Sequence, residues 1–352
     1  MSSDLFRRGG PYNIRKTGSD QYSFEITMPA DEQGRVAREC PREECSPAYF
    51  KVKTGTGITG DHAEAYCPYC RSAADPSEFT TKEQVRYAQD IVAREAEISI
   101  GSMLNDALGL GRSGKKKIGG GLISIEMSMK QGTPTHVRRP FEEDLLRAVV
   151  CPHCGLDHAV FGLATWCADC GADIFMEHVK AEYAVVNTIL SDVDRRRADL
   201  GPRIAARDIE NCLEDTVSIF EAVLKAMLSR HLRAAGETGE AIHTLLKDRI
   251  RNGFQNPKRA AEIIRNRMGQ ELFAEIPAEA VEQLFATFEK RHPITHNLGV
   301  VDRKYLENAY AAEREGREVR VSREEVEQAI TTCYQALASL NARGFLDRAT
   351  EG

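Results

Sequence analysis

Eight of the ten cysteines fall in four close pairs, Cys40/Cys45, Cys67/Cys70, Cys151/Cys154 and Cys167/Cys170, while Cys212 and Cys333 stand alone. Cys151-Pro-His-Cys154-Gly and Cys167-Ala-Asp-Cys170-Gly are C-x2-C knuckles twelve residues apart. Such a knuckle puts two thiolates on one tight turn, and two knuckles meeting close a tetrahedral four-sulfur site. A disulfide across C-x2-C is strained and leaves nothing to hold a small segment together. Cys40/Cys45 and Cys67/Cys70 enclose a longer, 21-residue insert and read as a second site of the same kind. In that insert, residues 48–53, a Gly/Thr-rich turn and residues 62–66 read as a hairpin between the half-sites. Two structural Zn²⁺ ions are expected, and they would supply folding energy that these polar segments lack. His62, His153 and His158 lie near the knuckles, but four cysteines per site make them unnecessary. Four cysteines close each set, whereas a catalytic zinc needs an open position, which argues against one.

The second concentration of chemistry lies late in the chain. Val281, Leu284, Phe285 and Phe288 recur at helical spacing and predict a buried seam. The seam runs on into Arg291-His-Pro-Ile-Thr-His296-Asn297, so polar groups replace phenylalanines at its end. On an ideal helix His292 and His296 continue the seam, and Arg291 falls on the other flank. Such an end must reach solvent or form a paired polar cluster, because unpaired burial is costly. Pro293 should distort the turn, and Asn297-Leu-Gly299 reads as a helix stop.

Arg291-His-Pro-Ile-Thr-His296-Asn297-Leu-Gly-Val-Val-Asp302 resembles the R-x4-6-H signature of HEPN domains, a resemblance that takes in roughly residues 178–350 through its helix pattern and this one motif. It implies a helical bundle that dimerises and acts as a metal-independent endoribonuclease. His296 would move the proton of a ribose 2′-OH and Arg291 would stabilise charge on the phosphate, leaving 2′,3′-cyclic phosphate ends. His292 and Asn297 would orient groups, with Thr295 as a helper. One motif supplies half of an acid-and-base arrangement, so a two-fold dimer is the natural architecture. Some members are silenced through a tyrosine two residues after the histidine; Leu298 stands there. The R-x4-6-H pattern also occurs at Arg147…His153, where it runs into a knuckle.

Two other readings stay open. His292-x3-His296 has the spacing of a metal-binding pair, though Pro-Ile-Thr between them is unlike H-E-x-x-H. Alternatively the zinc ribbons bind nucleic acid or protein and the helical part only dimerises, giving a non-catalytic regulator. Ribbons joined to a ribonuclease imply a sensing or targeting module on an effector of the toxin or phage-defence kind, with a nucleic-acid or protein trigger.

The elements that must position these residues follow from pattern. Tyr22 to Met28 alternates as a strand, and Thr81-Lys-Glu-Gln84 is a capping box opening a helix to about residue 97. Gly109-Leu-Gly-Arg-Ser-Gly114-Lys115 spells G-x4-G-K, but Lys116 occupies the Ser/Thr position and no strand precedes it, so a linker or basic nucleic-acid contact is the better reading. Residues 122–129 alternate as a strand. Helices are expected near 178–198, 203–235, 239–253, 257–269, 278–297 and 323–343, with Cys212 and Cys333 as plain core residues. The fold class is thus multidomain: two small β-rich four-cysteine ribbons followed by an all-α, HEPN-like bundle. The divisions are 1–79 for the first ribbon, 80–140 for a helix, glycine-rich linker and strand, 141–177 for the second ribbon and 178–352 for the bundle.

Composition bounds the rest. In 352 residues a net charge of −6 argues against a protein that coats nucleic acid with its whole surface. The start, MSSDLFRRGGPYNIRK, has no apolar run after its positive charges, so neither a Sec-type signal nor a membrane span is expected, and a cytoplasmic location is.

Overall fold

The computed structural model describes residues 5–6, 9–58, 64–110, 114–119, 125–130, 132–308 and 314–345. These divide into two compact units: residues 1–162 with 166–173, and residues 163–165 with 174–352.

The first unit is built on short antiparallel strands: β1 (Arg15–Lys16), β2 (Tyr22–Ser23), β3 (Arg35–Glu39), β4 (Tyr49–Lys53), β5 (Ala65–Tyr66), β6 (Ala73–Ala74), β7 (Lys115–Ile118), β8 (Ile125–Ser128), β9 (Arg147–Val150) and β10 (Asp157–Val160). One sheet has the order β3-β4-β10-β9, so the strand pairs of the two four-cysteine segments lie side by side within it. The segments read above as separate ribbons therefore share one sheet. Two-stranded ribbons are marginal alone, and pairing β4 with β10 gives each an interior neighbour. The anticipated hairpin inside the first site does not form: β4 pairs with β3 and β10, and β5 closes onto β6 across the knuckle. His62 lies outside the described residues.

Ionic and hydroxyl groups supplement a thin apolar core here. Lys51 is 1 % exposed and lies 3.1 Å from Asp31 and 3.2 Å from Glu142. Tyr69, inside the first knuckle, donates to the Tyr49 carbonyl at 2.7 Å and accepts from the Phe161 amide at 2.9 Å. The helix α1 (Lys82–Ala107) opens on the expected capping box, and Gln84 Nε2 also reaches the Ala37 carbonyl at 2.9 Å. It runs ten residues beyond the predicted end near 97, past Gly101. The strand expected over 22–28 stops at Ser23, although half-buried and exposed residues still alternate to Met28. Phe6 meets Tyr22 and Phe24 edge-on there, and among the described residues no further strand extends the β1–β2 pairing. Of the strand expected at 122–129, Ile125–Ser128 is seen and 122–124 fall outside the described residues.

The second unit is helical: α2 (Phe175–Leu200), α3 (Pro202–Ala234), α4 (Gly239–Thr244), α5 (Pro257–Met268), α6 (Ala278–Glu289), α7 (Arg291–His296), α8 (Arg303–Asn308) and α9 (Arg323–Phe345). Gly201, at φ +95°, and Pro202 at the first position of α3 turn the chain between the two longest helices. The stripe of α3, from Ile209 through Leu213, Phe220 and Leu224 to Leu228, is buried against α2 and α9. Cys212 and Cys333 belong to the same core. Ser322 and Glu325 cap α9 reciprocally, as expected.

Three details differ from the pattern reading. The helix expected over 239–253 is α4, one wide turn over Leu245–Ile250 and a 3₁₀ turn over Gly253–Gln255. The break buries Phe254 in the core, and Gly253 has no room for a Cβ, which would meet Ile263 at 2.7 Å. The helix expected over 278–297 is α6 and α7, because Pro293 has no N–H to bond the preceding turn. The buried seam of α6 is Leu284, Thr287 and Phe288, continued by Ile294, with Val281 and Phe285 only half-buried. Phe285 meets Phe273 edge-on, 5.9 Å away. Short α8 carried no strong periodic signal. Among the described residues no helix is long and apolar enough to cross a membrane.

Candidate functional site

Both four-cysteine groups form. In each, the four sulfurs lie within 4.8 Å of one another. Cys40–Cys70 and Cys45–Cys67 are 3.7 Å apart, Cys151–Cys170 3.7 Å and Cys154–Cys167 3.5 Å. A metal–sulfur bond of about 2.3 Å implies a tetrahedral edge of about 3.8 Å, so the sulfurs fit around one ion. These distances exclude disulfides, whose sulfurs sit at about 2.05 Å.

The turns explain the fit. In three knuckles the amide after the second cysteine bonds the first cysteine's carbonyl: Arg71 to Cys67, Gly155 to Cys151, Gly171 to Cys167. That turn needs positive φ, supplied by Gly155 (+80°), Gly171 (+66°) and, against preference, Arg71 (+60°). Arg71 has a reason to be there: its guanidinium stacks 4.5 Å over Trp166, and Trp166 N–H donates to the Pro68 carbonyl. The Tyr69 and Asp169 amides point at Cys67 and Cys167 sulfurs, each at 3.4 Å. Burial pushes the thiols of Cys45 and Cys154 up to about 12, and the Cys70 thiolate adds to the effect at Cys45. Four thiolates this close are stable only around a cation. Among the described residues neither group includes a histidine: His153 is exposed and His158 is buried within β10. The two groups can thus hold two structural metal ions.

The polar seam end forms a cluster on α7. Arg291 Nε donates to Glu214 Oε2 at 2.5 Å and its Nη1 to Gln255 Oε1 at 2.9 Å. Thr295 Oγ1 donates to the other oxygen of the same Glu214 carboxylate. Gln255 in turn donates to Glu221 at 2.7 Å, and Lys225 pairs with Glu221 at 2.6 Å. On the other side of α7, the His292 and His296 rings meet at a tilt of 55° with centres 5.2 Å apart, and His292 Nε2 lies 3.7 Å from Asp302. Burial, aided by the Lys304 charge, holds His292 below the usual imidazole range, against the pull of Asp302. Asn297 caps the turn through the Val300 carbonyl at 2.8 Å, while Gly299 N–H reaches back to Pro293.

Arg291 and Thr295 thus face α3, and His292, with His296 beside it, faces Asp302. The placement inverts the expectation from ideal geometry, in which the histidines continued the seam and Arg291 was the flank. Arg291 is part-buried and His296 exposed. Five residues apart, they point about 140° away from each other around the helix. One chain therefore brings His292 to His296 and Arg291 to Thr295, but does not aim Arg291 and His296 at one point. Among the described residues, only the two cysteine groups gather three or more candidate ligands, so the spacing of His292 and His296 does not grow into a metal site.

Pattern reading missed Glu214, Gln255 and Glu221. Glu214 and Glu221 lie a heptad apart on the flank of the α3 stripe, the one signal available. Gln255 reaches the cluster only because the chain breaks at Gly253. In the G-x4-G-K segment, α1 leads in and strand β7 leads out, so no helix N-terminus faces a phosphate there; residues 111–113 lie outside the described residues.

No protein-family model matches the chain, and the comparisons with curated proteins and with solved structures found no match.

Proposed function

We propose that the protein is a metal-independent endoribonuclease of the HEPN type, with its helical unit as the catalytic part and a zinc-stabilised unit for sensing or targeting. The observation that carries this reading is the polar end of the α6–α7 seam, where Arg291 is held by Glu214 and Gln255 on the same short helix as two histidines in ring contact. Arg291 would meet the charge developing on the scissile phosphate. His296, exposed at the rim, would take the 2′-OH proton as that oxygen attacks phosphorus, and an acid would protonate the departing 5′-oxygen. The products are a 2′,3′-cyclic phosphate and a 5′-OH. His292, held below the usual imidazole range, stays neutral near pH 7 and would orient His296, with Asn297 fixing the turn.

The divergence of Arg291 and His296 around α7 favours a two-fold dimer through the helical unit, in which each site draws on both copies. The two metals would be Zn²⁺, the usual ion of closed four-thiolate sites without redox chemistry. An effector of the toxin or antiviral-defence kind fits this pairing of modules.

A second reading is favoured by one observation: Glu214 already neutralises Arg291. On that reading the cluster is structural and the protein is a non-catalytic regulator that binds nucleic acid or protein. Purified protein incubated with total RNA, with and without EDTA, separates the two. Cleavage that survives EDTA and is lost on Arg291→Ala or His296→Ala supports the ribonuclease, with a fall on the order of 10²–10⁴ in rate. Absence of cleavage by folded, zinc-loaded wild type, or dependence on added divalent metal, sinks it.

A further inference from the structure

The ribbon formed by β7 and β8 stands out because its sequence works against its own stability. Lys115 pairs with Ser128, Lys116 with Met127, Lys117 with Glu126 and Ile118 with Ile125. All four residues of β7 are exposed, and among the described residues no third strand joins the pair. Alternation places Lys116 on one face and Lys115 and Lys117 on the other, so both faces are cationic. Lys130, just beyond β8, is exposed as well, and Glu126 is the single acid within the two strands. Lysine is a poor strand former, three in a row repel, and an isolated two-stranded hairpin is marginal in water. At the far end of the ladder from Lys115, Ile118 is 47 % and Ile125 60 % exposed, opposite one another. A merely solvated charge run does not end on paired, exposed isoleucines.

We propose that this ribbon is a docking arm for single-stranded RNA. Lys115, Lys116, Lys117 and Lys130 would neutralise backbone phosphates, releasing counterions, and the Ile118–Ile125 pair would pack against unstacked bases and riboses. A polyanion removes the repulsion that the lysine run imposes on the hairpin, and an unpaired strand offers apolar base faces at the same place. The proposal names a contact surface for the substrate class proposed above and rests on that reading for the choice of RNA as ligand. The surface is distinct from the α7 cluster and lies in the other unit.

The test uses the full-length, zinc-loaded His296→Ala protein and a fluorescent 20-nucleotide single-stranded RNA, with affinity measured across a salt series. Lys115→Gln/Lys116→Gln/Lys117→Gln should weaken binding roughly tenfold or more at 0.1 M salt and lower the slope of log K against log salt by about 2, at about 0.7 per lost phosphate contact. The Lys→Arg triple should restore both. Ile118→Thr/Ile125→Thr should weaken binding and leave the slope unchanged. Lys130→Gln, outside the strands, carries its own slope change of about 0.7 and decides the matter where the triple variant fails to keep its zinc. Unchanged affinity and slope in these charge variants overturn the arm. So does wild-type protein that does not bind the RNA, or a lysine run needed for phosphatidylserine vesicles and not for RNA. Cleavage without any slope change sinks the arm alone, and RNA binding through the arm without cleavage by wild type sinks the ribonuclease alone.

Discussion

The two units hold themselves together by different physics. The helical unit has one continuous apolar core from Phe175 to Leu340, and its polar cluster sits at the end of that core. The strand unit has short strands, a buried lysine between two carboxylates and eight thiols gathered in two groups. One is stabilised by area removed from water, the other by charge chemistry that depends on metal and protonation. The helical unit can therefore carry a polar, part-exposed site without losing its fold, while the strand unit should respond to loss of metal and to acid. That contrast suits a division into catalytic and sensing parts.

The sharpest way to break the comparison is to remove the metal. Structural zinc is worth about 10–16 kcal/mol in apparent terms, so a strong chelator, or Cys154→Ser with Cys167→Ser, should unfold the strand unit. Amides of α3 and α9 should stay protected in hydrogen exchange. Loss of protection throughout the chain would show that the units are not independent in this sense. Metal analysis should give two zinc ions per chain.

The converse experiment truncates the apolar core. Phe220, fully buried and edge-on to Phe288 at 5.8 Å, should cost about 3–5 kcal/mol on Phe220→Ala, read as a lower denaturant midpoint for the helical signal with zinc content unchanged.

Within the strand unit, Lys51→Ala leaves Asp31 and Glu142 without their cation and should cost about 3 kcal/mol. Burial on its own would raise the Asp31 carboxyl, but the Arg35 amide and the Lys51 ammonium outweigh it and bring it below the usual range. The stabilisation from Asp31 is therefore complete above about pH 4 and lost as acid protonates it. The difference in urea midpoint between wild type and Asp31→Asn should shrink below that pH; a constant difference would assign Asp31 a purely steric role.

The smallest effect is expected at Leu298, 88 % exposed and held at φ +51° where glycine is preferred. Leu298→Gly should stabilise the helical unit by about 1 kcal/mol, seen as a rise in Tm. A fall in Tm would mean that Leu298 packs against something when the protein assembles.

Much of this organisation is local and was legible from residue types alone. C-x2-C-Gly specifies a knuckle because the turn, the thiolates and the positive φ all lie within five residues. The capping boxes at Thr81 and Ser322, and the long stripe of α3, are local in the same sense, since helix geometry depends on spacing a few residues long. Tertiary structure alone decided what spacing cannot carry. Pairing of β4 with β10 merged two segments more than a hundred residues apart into one sheet, because an edge strand takes whichever partner the fold supplies. Glu214 and Gln255 came to Arg291 from α3 and from a broken helix, and the face of α6 that packing buried is Leu284, Thr287 and Phe288, which Arg291 continues on the helical step. A sequence states which groups are available; long-range packing sets which of them meet, because no local spacing relates Arg291 to a carboxylate 77 residues away.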